Sequence, residues 1–388
     1  MAKKILNLVL ICVIGIPIAM WMAWFFTPKK KLVVALVDKT VLTTKGQEHI
    51  SLTWILNHNR YTKTSKDPYD ISKDYFGFFP LKNEEFELKG LERFTEGQLK
   101  RLSADADLAY FTDTYGIYNN EWFREGDVNA HSGMLYGGLS NEDIFFLKSM
   151  KERKKLIIAE FNTIGSPTRA ENRKKFEKMF QLKWTGWTGR YFDNLDPTEN
   201  LDIPKWLIAN YKKSHNGSWP FTRAGIALVN DHNQVVILEE GTHVENALPF
   251  IIASPEAQKR WSLPEKTKYP FWFDVMVPNL EVNTVDASYK LDLLAAGKKE
   301  LAKYNIPETF PAVTRHTSKD YRFFYFSGDF SDNPITYNSS YFKGIGFFKG
   351  FFYDDRNPLE RESFFWNFYK PLLTQILEQE MELLDPEN

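Results

Sequence analysis

Residues 136–162 read YGGLSNEDIFFLKSMKERKKLIIAEFN. Gly137 and Gly138 make a tight turn, and Ser140 stands three residues before Asp143, the spacing of a capping box at a helix start. The spacing predicts a helix to about Arg153. LIIAE then follows without a polar break, the pattern of a strand buried on both faces, as in a parallel sheet. Turn, capped helix and buried strand together are half of a βαβ unit, and this decides the fold class.

The same pattern extends outward. Lys31–Thr40 (KLVVALVDKT) and Asp107–Gly116 (DLAYFTDTYG) are apolar runs that end in polar residues. Gln47–His58 reads as a helix with Ile50, Trp54 and Ile55 on one face. Gly165, Ser166 and Pro167 break the chain before another helix over 169–180. Strand and helix thus alternate from 31 to 180, which implies a parallel sheet with right-handed crossovers. Lys63–Pro80, with Pro68, Gly77 and Pro80, reads as a long loop. Gly225–Asn230 and Gln234–Glu239 flank Asp231, His232 and Asn233 as a hairpin. Phe271–Val277 and Tyr321–Phe326 are further strands, and 360–384 closes the chain as a helix kinked at Pro371. The expected fold is α/β, with a mostly parallel, flavodoxin-like central sheet. Residues 31–194 form its core, 195–300 an inserted α+β subdomain, and 301–388 complete it.

Residues 5–26, ILNLVLICVIGIPIAMWMAWFF, carry no charge. As a helix they span about 33 Å, enough for a bilayer core. Lys3 and Lys4 precede the run, Lys29, Lys30 and Lys31 follow it, and Trp21 and Trp24 suit an interface. Ala19 and Ala23 have Pro17 and Trp21 two places before them, a poor cleavage pattern. Residues 1–30 therefore read as one uncleaved transmembrane anchor, with the body outside the cytoplasm. The one cysteine, Cys12, lies inside the run. The body thus has no thiolate, which excludes cysteine nucleophiles and cysteine-ligated zinc. A net charge of −1 gives no bulk attraction to nucleic acid. Aromatic residues make up 16% of the chain, enough for a large aromatic core or a ring-lined sugar cleft.

HExxH, GxSxG, GxGxxG and the Walker A loop are absent, and the seven histidines lack metal-ligand spacing, so no metal or cofactor is expected. What recurs is an acid at a strand end: Asp38, Asp113, Glu160 and Asp329. Ligands of open parallel sheets bind outside the carboxyl ends of the strands. Asp113, Glu160 and Asp329 are therefore the candidate catalytic residues, able to act as acid and base. Asp38, Tyr115 and Asn162 are candidate ligand contacts. Gly137 and Gly138 are candidate amide donors to an anion, and Trp184, Trp187 and Arg190 a candidate stacking shelf. Each has a plainer reading as a cap, a turn or core packing. His131 and His316 read as structural.

The order TDTYG…YGGL…AEFN…GWTGRYF resembles the class I glutamine amidotransferase-like superfamily, over 31–192 and the strand near 321–329. It also resembles a set of membrane-anchored bacterial proteins. The superfamily resemblance implies a Gly-Gly turn at LYGGLS, a nucleophile elbow after LIIAEFN, and a catalytic histidine after the late strand YRFFYFSGD. Here Glu160, Phe161 and Asn162 stand where the cysteine belongs, and Asp329 where the histidine belongs, so no glutaminase activity is expected. Two functions remain: a cell-envelope module binding a glycan or small polar ligand, and a carboxylate-dependent hydrolase of an envelope polymer. Two carboxyl groups about 5–9 Å apart across a cleft would mark the second.

Overall fold

The computed structural model describes residues 2–45, 47–123 and 133–384. Its centre is a ten-stranded mixed sheet. Five parallel strands form the middle, in the order Arg322–Phe326, Leu156–Glu160, Leu108–Phe111, Val34–Asp38, Phe76–Pro80. Val34–Asp38, Leu108–Phe111 and Leu156–Glu160 are buried at every position, as their unbroken apolar runs predict. Side chains alternate between two cores. Leu36, Tyr110, Ile158 and Phe324 pack with the Ile50–His58 helix and the C-terminal helix. Val37, Ala109, Ile157 and Phe323 pack with helices Glu96–Asp105, Asn141–Glu152 and Ala170–Phe180. Ser140 caps its helix with Asp143 as the spacing predicts.

The parallel expectation holds only for the middle of the sheet. Beyond Arg322–Phe326 come Thr309–Thr317, Thr284–Lys290, Phe250–Ala253 and Lys266–Lys268, all antiparallel. Only four residues separate Thr317 from Arg322, too few for a parallel crossover. Four further strands, Val235–Glu239, Gly225–Asn230, Leu182–Phe192 and Phe273–Pro278, form a separate antiparallel sheet. Residues 195–300 thus feed both sheets. Lys63–Pro80 is not all loop: Phe76–Pro80 is a strand beside Val34–Asp38, which its glycine and proline disguise. Trp184–Phe192 lies within a strand, so its rings alternate between faces. The closing helix absorbs Pro371 through a π turn at Phe365–Tyr369, because proline supplies no N–H and crowds the preceding turn.

Gly77 decides how closely the Phe76–Pro80 strand approaches Val34–Asp38. It pairs with Asp38, and a Cβ there would lie 1.6 Å from the Asp38 carbonyl oxygen. Gly77→Ala is expected to cost about 1–3 kcal/mol by displacing the Asp38 strand end. Urea unfolding of the two proteins measures it.

An N-terminal helix runs Ala2–Phe26 with Pro17 inside it. Its side chains are described from Val13 onward. Among the described residues, no helix is long and apolar enough to cross a membrane. The side chains of Ile5–Cys12, the first part of the expected span, lie outside the described ones. The helix end is fastened to the body. The Trp24 indole donates to the Asn57 carbonyl at 3.0 Å and lies under the Arg60 guanidinium, and the Lys343 N–H donates to the Met20 carbonyl at 3.1 Å.

Candidate functional site

Parallel strands deliver their carboxyl ends to one side of the sheet. Asp38 and Glu160 end their strands, Asp113 follows Phe111 by two residues and Asp329 follows Phe326 by three. All four are buried. They share one electrostatic field with two acids the sequence did not single out, Glu48 and Asp332. One carboxylate oxygen from each of Glu48, Asp329 and Asp332 lies within 4.8 Å of the others. Burial, then repulsion from Asp332, Asp329, Asp113 and Asp38, pushes the Glu48 carboxyl well above the usual carboxylate range. Burial, then Asp332, Asp113 and Glu160, does the same to Asp329, against a pull from Arg361. Burial also raises Asp113 to about 7, although the Tyr115 N–H bond opposes it. Such a group cannot be fully ionised at neutral pH. It would hold a hard cation, share protons, or receive hydroxyl donors.

The acids differ in how far they are engaged. Glu160 accepts from the Tyr110 hydroxyl, the Ser331 N–H at 3.0 Å and the Ser331 hydroxyl at 2.7 Å, and burial lifts it to about 8. It ties its strand to the 327–333 segment and is a poor candidate for substrate contact. Asp38 bonds His49 Nδ1 at 2.5 Å, while His49 Nε2 meets the Ile71 carbonyl at 2.8 Å. A carbonyl only accepts, so Nε2 carries a hydrogen. Asn162 adopts a left-handed conformation, with φ at 61°, which asparagine tolerates. Its N–H donates to Asp274 at 3.0 Å and its side chain reaches Asp113. Asp274, raised by burial to about 6, also accepts from Tyr325 and Thr188, and so links the smaller sheet to the site.

Several expected contacts do not form. The Gly138 N–H is spent on the Thr114 carbonyl at 2.7 Å, and a Cβ on Gly137 would lie 2.6 Å from the Tyr115 carbonyl oxygen. These glycines permit close packing; the Gly138 amide has no free donor for an anion. Trp184 and Trp187 are no stacking shelf. Both are buried in separate cores, Trp184 under Arg173 and Trp187 edge-on to Tyr304. Tyr115 does stand beside Asp113, half-buried against Tyr118. His316 is structural, stacked on Tyr321 and bonded to Asp320. His131 lies outside the described residues.

Arg190 keeps a place at the site with different neighbours. Its guanidinium lies among Phe192, Trp272 and Phe271 at 4.9, 5.5 and 5.7 Å, and its buried Nε has no hydrogen-bond partner. Arg361 lies 3.6 Å over the Phe271 ring and donates to the Asp332 carbonyl at 2.6 Å. The Asp329 N–H reaches the Trp272 carbonyl. Phe271, Trp272 and Arg190 thus form a wall of rings and charge beside the acids. In the sequence FWFDVMV is a strand pattern, and nothing in it marks two rings for a site. SGDFSD does carry a signal: a second acid three residues after Asp329.

No family model and no curated protein matches the chain. Among solved structures it is similar to a putative ThuA-like protein from Parabacteroides merdae ATCC 43184. Identity is 11% and the TM-score 0.37, over 77% of this chain and 79% of that one. A putative ThuA-like protein from Bacteroides uniformis ATCC 8492 is 11% identical at a TM-score of 0.36, over 90% and 97%. Agd3, a carbohydrate deacetylase, is 9% identical at 0.27, over 77% of this chain and 30% of that one.

Proposed function

We propose that this chain is a membrane-anchored cell-envelope protein with an amidotransferase-like body that lacks the thiol nucleophile. In this reading the acids at its strand ends bind a polyhydroxylated ligand, a glycan or a smaller polar envelope compound. The uncharged run 5–26 supports the anchor, with the body outside the cytoplasm. The observation that carries the ligand reading is the convergence of Glu48, Asp329 and Asp332 beside Phe271 and Trp272. Carboxylates accept hydroxyl protons, and ring faces pack on the apolar face of a sugar. The paired Asp329→Asn, Asp332→Asn variant is expected to bind a neutral oligosaccharide at least about tenfold more weakly, since hydrogen bonds to charged groups are worth roughly 1.5–3 kcal/mol. Calorimetric titration measures this, and equal affinity in a folded variant would contradict the reading.

One observation favours a hydrolase. Asp113, held protonated near neutrality at about 7, suits a general acid. Release of reducing ends from an envelope polysaccharide, lost in Asp113→Asn, would establish this second reading over the first.

A further inference from the structure

We propose that the body has a second membrane contact, the short helical segment Ile345–Phe351 with the Phe352 that follows it. Phe347 is 93% exposed and Phe351 87%, with Phe348 and Phe352 partly exposed beside them. Four phenylalanines in six residues, turned outward on a packed body, make an apolar patch that water disfavours. The segment is held in place: Phe352 stacks on Trp366, and the Lys349 ammonium donates to Asn367 at 2.6 Å.

The level of this patch is set by the N-terminal helix, and the inference rests on reading that helix as an anchor. The Lys343 N–H bonds the Met20 carbonyl, and Tyr341 packs edge-on to Trp24 at 4.9 Å. Met20 lies six residues before the helix end at Phe26, about 9 Å along the axis. If the uncharged run sits in a bilayer, the body is therefore fastened to the helix within the apolar span, and the segment starting at Lys343 begins at that depth. Phe25 and Phe26 are exposed at the same end of the helix. Lys29, Lys30 and Lys31 are exposed just beyond it, placed to meet anionic headgroups. Rings at the interface and lysines beside them match a lipid surface better than a second protein.

The test uses the full chain with Cys12→Ser, so that one introduced cysteine carries the label. Phe347→Cys, Phe351→Cys and, as a water-facing reference, Leu201→Cys, exposed at 88%, are labelled with a nitroxide. Each is reconstituted in phosphatidylcholine vesicles containing phosphatidylserine. At 347 and 351 collisions with oxygen should exceed those with a water-soluble nickel chelate several-fold, with the order reversed at 201. Labels at 347 and 351 as open to nickel as the one at 201 would overturn the inference. So would shielding from both reagents, which would mean a protein partner or a second copy covers the patch. Flotation after an alkaline wash separates the two readings. A chain that floats but shows wet labels keeps its anchor and loses this contact. A chain that washes off loses both.

Discussion

Replacing Lys39 with Met should lower the unfolding free energy by about 3–5 kcal/mol, the cost of breaking a buried ion pair from one side. Lys39 is fully buried. Its ammonium donates to Asp143 at 2.6 Å, to the Gly138 carbonyl at 3.0 Å and to Glu92. Burial alone would lower its pKa, but Asp143 and then Glu92 outweigh that and hold it above the ordinary value. The lysine therefore stays charged, and its loss leaves a buried carboxylate at Asp143, one oxygen of which already has no partner. Asp143 also caps the Asn141–Glu152 helix, so the damage reaches the turn that closes over the sheet. Adding Asp143→Asn to Lys39→Met should recover about 1–2 kcal/mol by removing the stranded charge. Urea midpoints of the parent and both variants decide it; a single variant within 1 kcal/mol of the parent would show the triad to be dispensable.

A second large effect concerns pH. Burial raises Glu160 to about 8, Asp113 to about 7 and Asp274 to about 6. Their ordinary values are 4.5 for glutamate and 3.8 for aspartate. Between the ordinary and the raised value the unfolded chain has released a proton that the folded one keeps. Stability contributed by these groups is therefore full below about pH 4 and is lost as pH rises toward 8. The slope is at most about 1.4 kcal/mol per pH unit for each group in its window. Glu160→Gln should remove the Glu160 share. Its amide oxygen can still accept from Ser331, and its NH2 can donate to the Tyr110 hydroxyl, which passes its own hydrogen to Tyr369. The variant should gain about 1–3 kcal/mol over the parent at pH 8 and nothing at pH 4. Thermal or urea unfolding at the two pH values measures this. A variant less stable than the parent at pH 8 would mean that Glu160 is ionised in the fold.

The strand ends were legible because a doubly buried strand must be apolar throughout, so the first polar residue marks its edge. Asp38, Asp113 and Glu160 were found in this way, and Asp329 through the β-rich run before it. Glu48 and Asp332 were not, since neither ends an apolar run: Glu48 lies in the short helix Gln47–His49, and Asp332 three residues beyond Asp329. The Phe76–Pro80 strand was hidden because Gly77 and Pro80 break the β pattern, although Gly77 is needed for close approach to Asp38. The tryptophans misled for a related reason. WTGWTG has the composition of a binding loop, but it lies inside a strand, and the two faces of that strand send Trp184 and Trp187 into different cores. The rings beside the acids, Phe271 and Trp272, come from the strand entry that looked most like ordinary core.

Whether the Glu48, Asp329 and Asp332 carboxyl groups receive the ligand can be read by proton counting. Hydroxyl donors favour the ionised form of a carboxylate, and burial with like-charge repulsion holds Glu48 and Asp329 well above the usual carboxylate range. Binding should therefore release protons. Calorimetric titration of the full chain with an oligosaccharide at pH 7, in two buffers of different ionisation enthalpy, reads that number. The expected result is a release that disappears in Asp329→Asn, Asp332→Asn. Binding with no proton exchange, equal in parent and variant, would place the ligand elsewhere and contradict it.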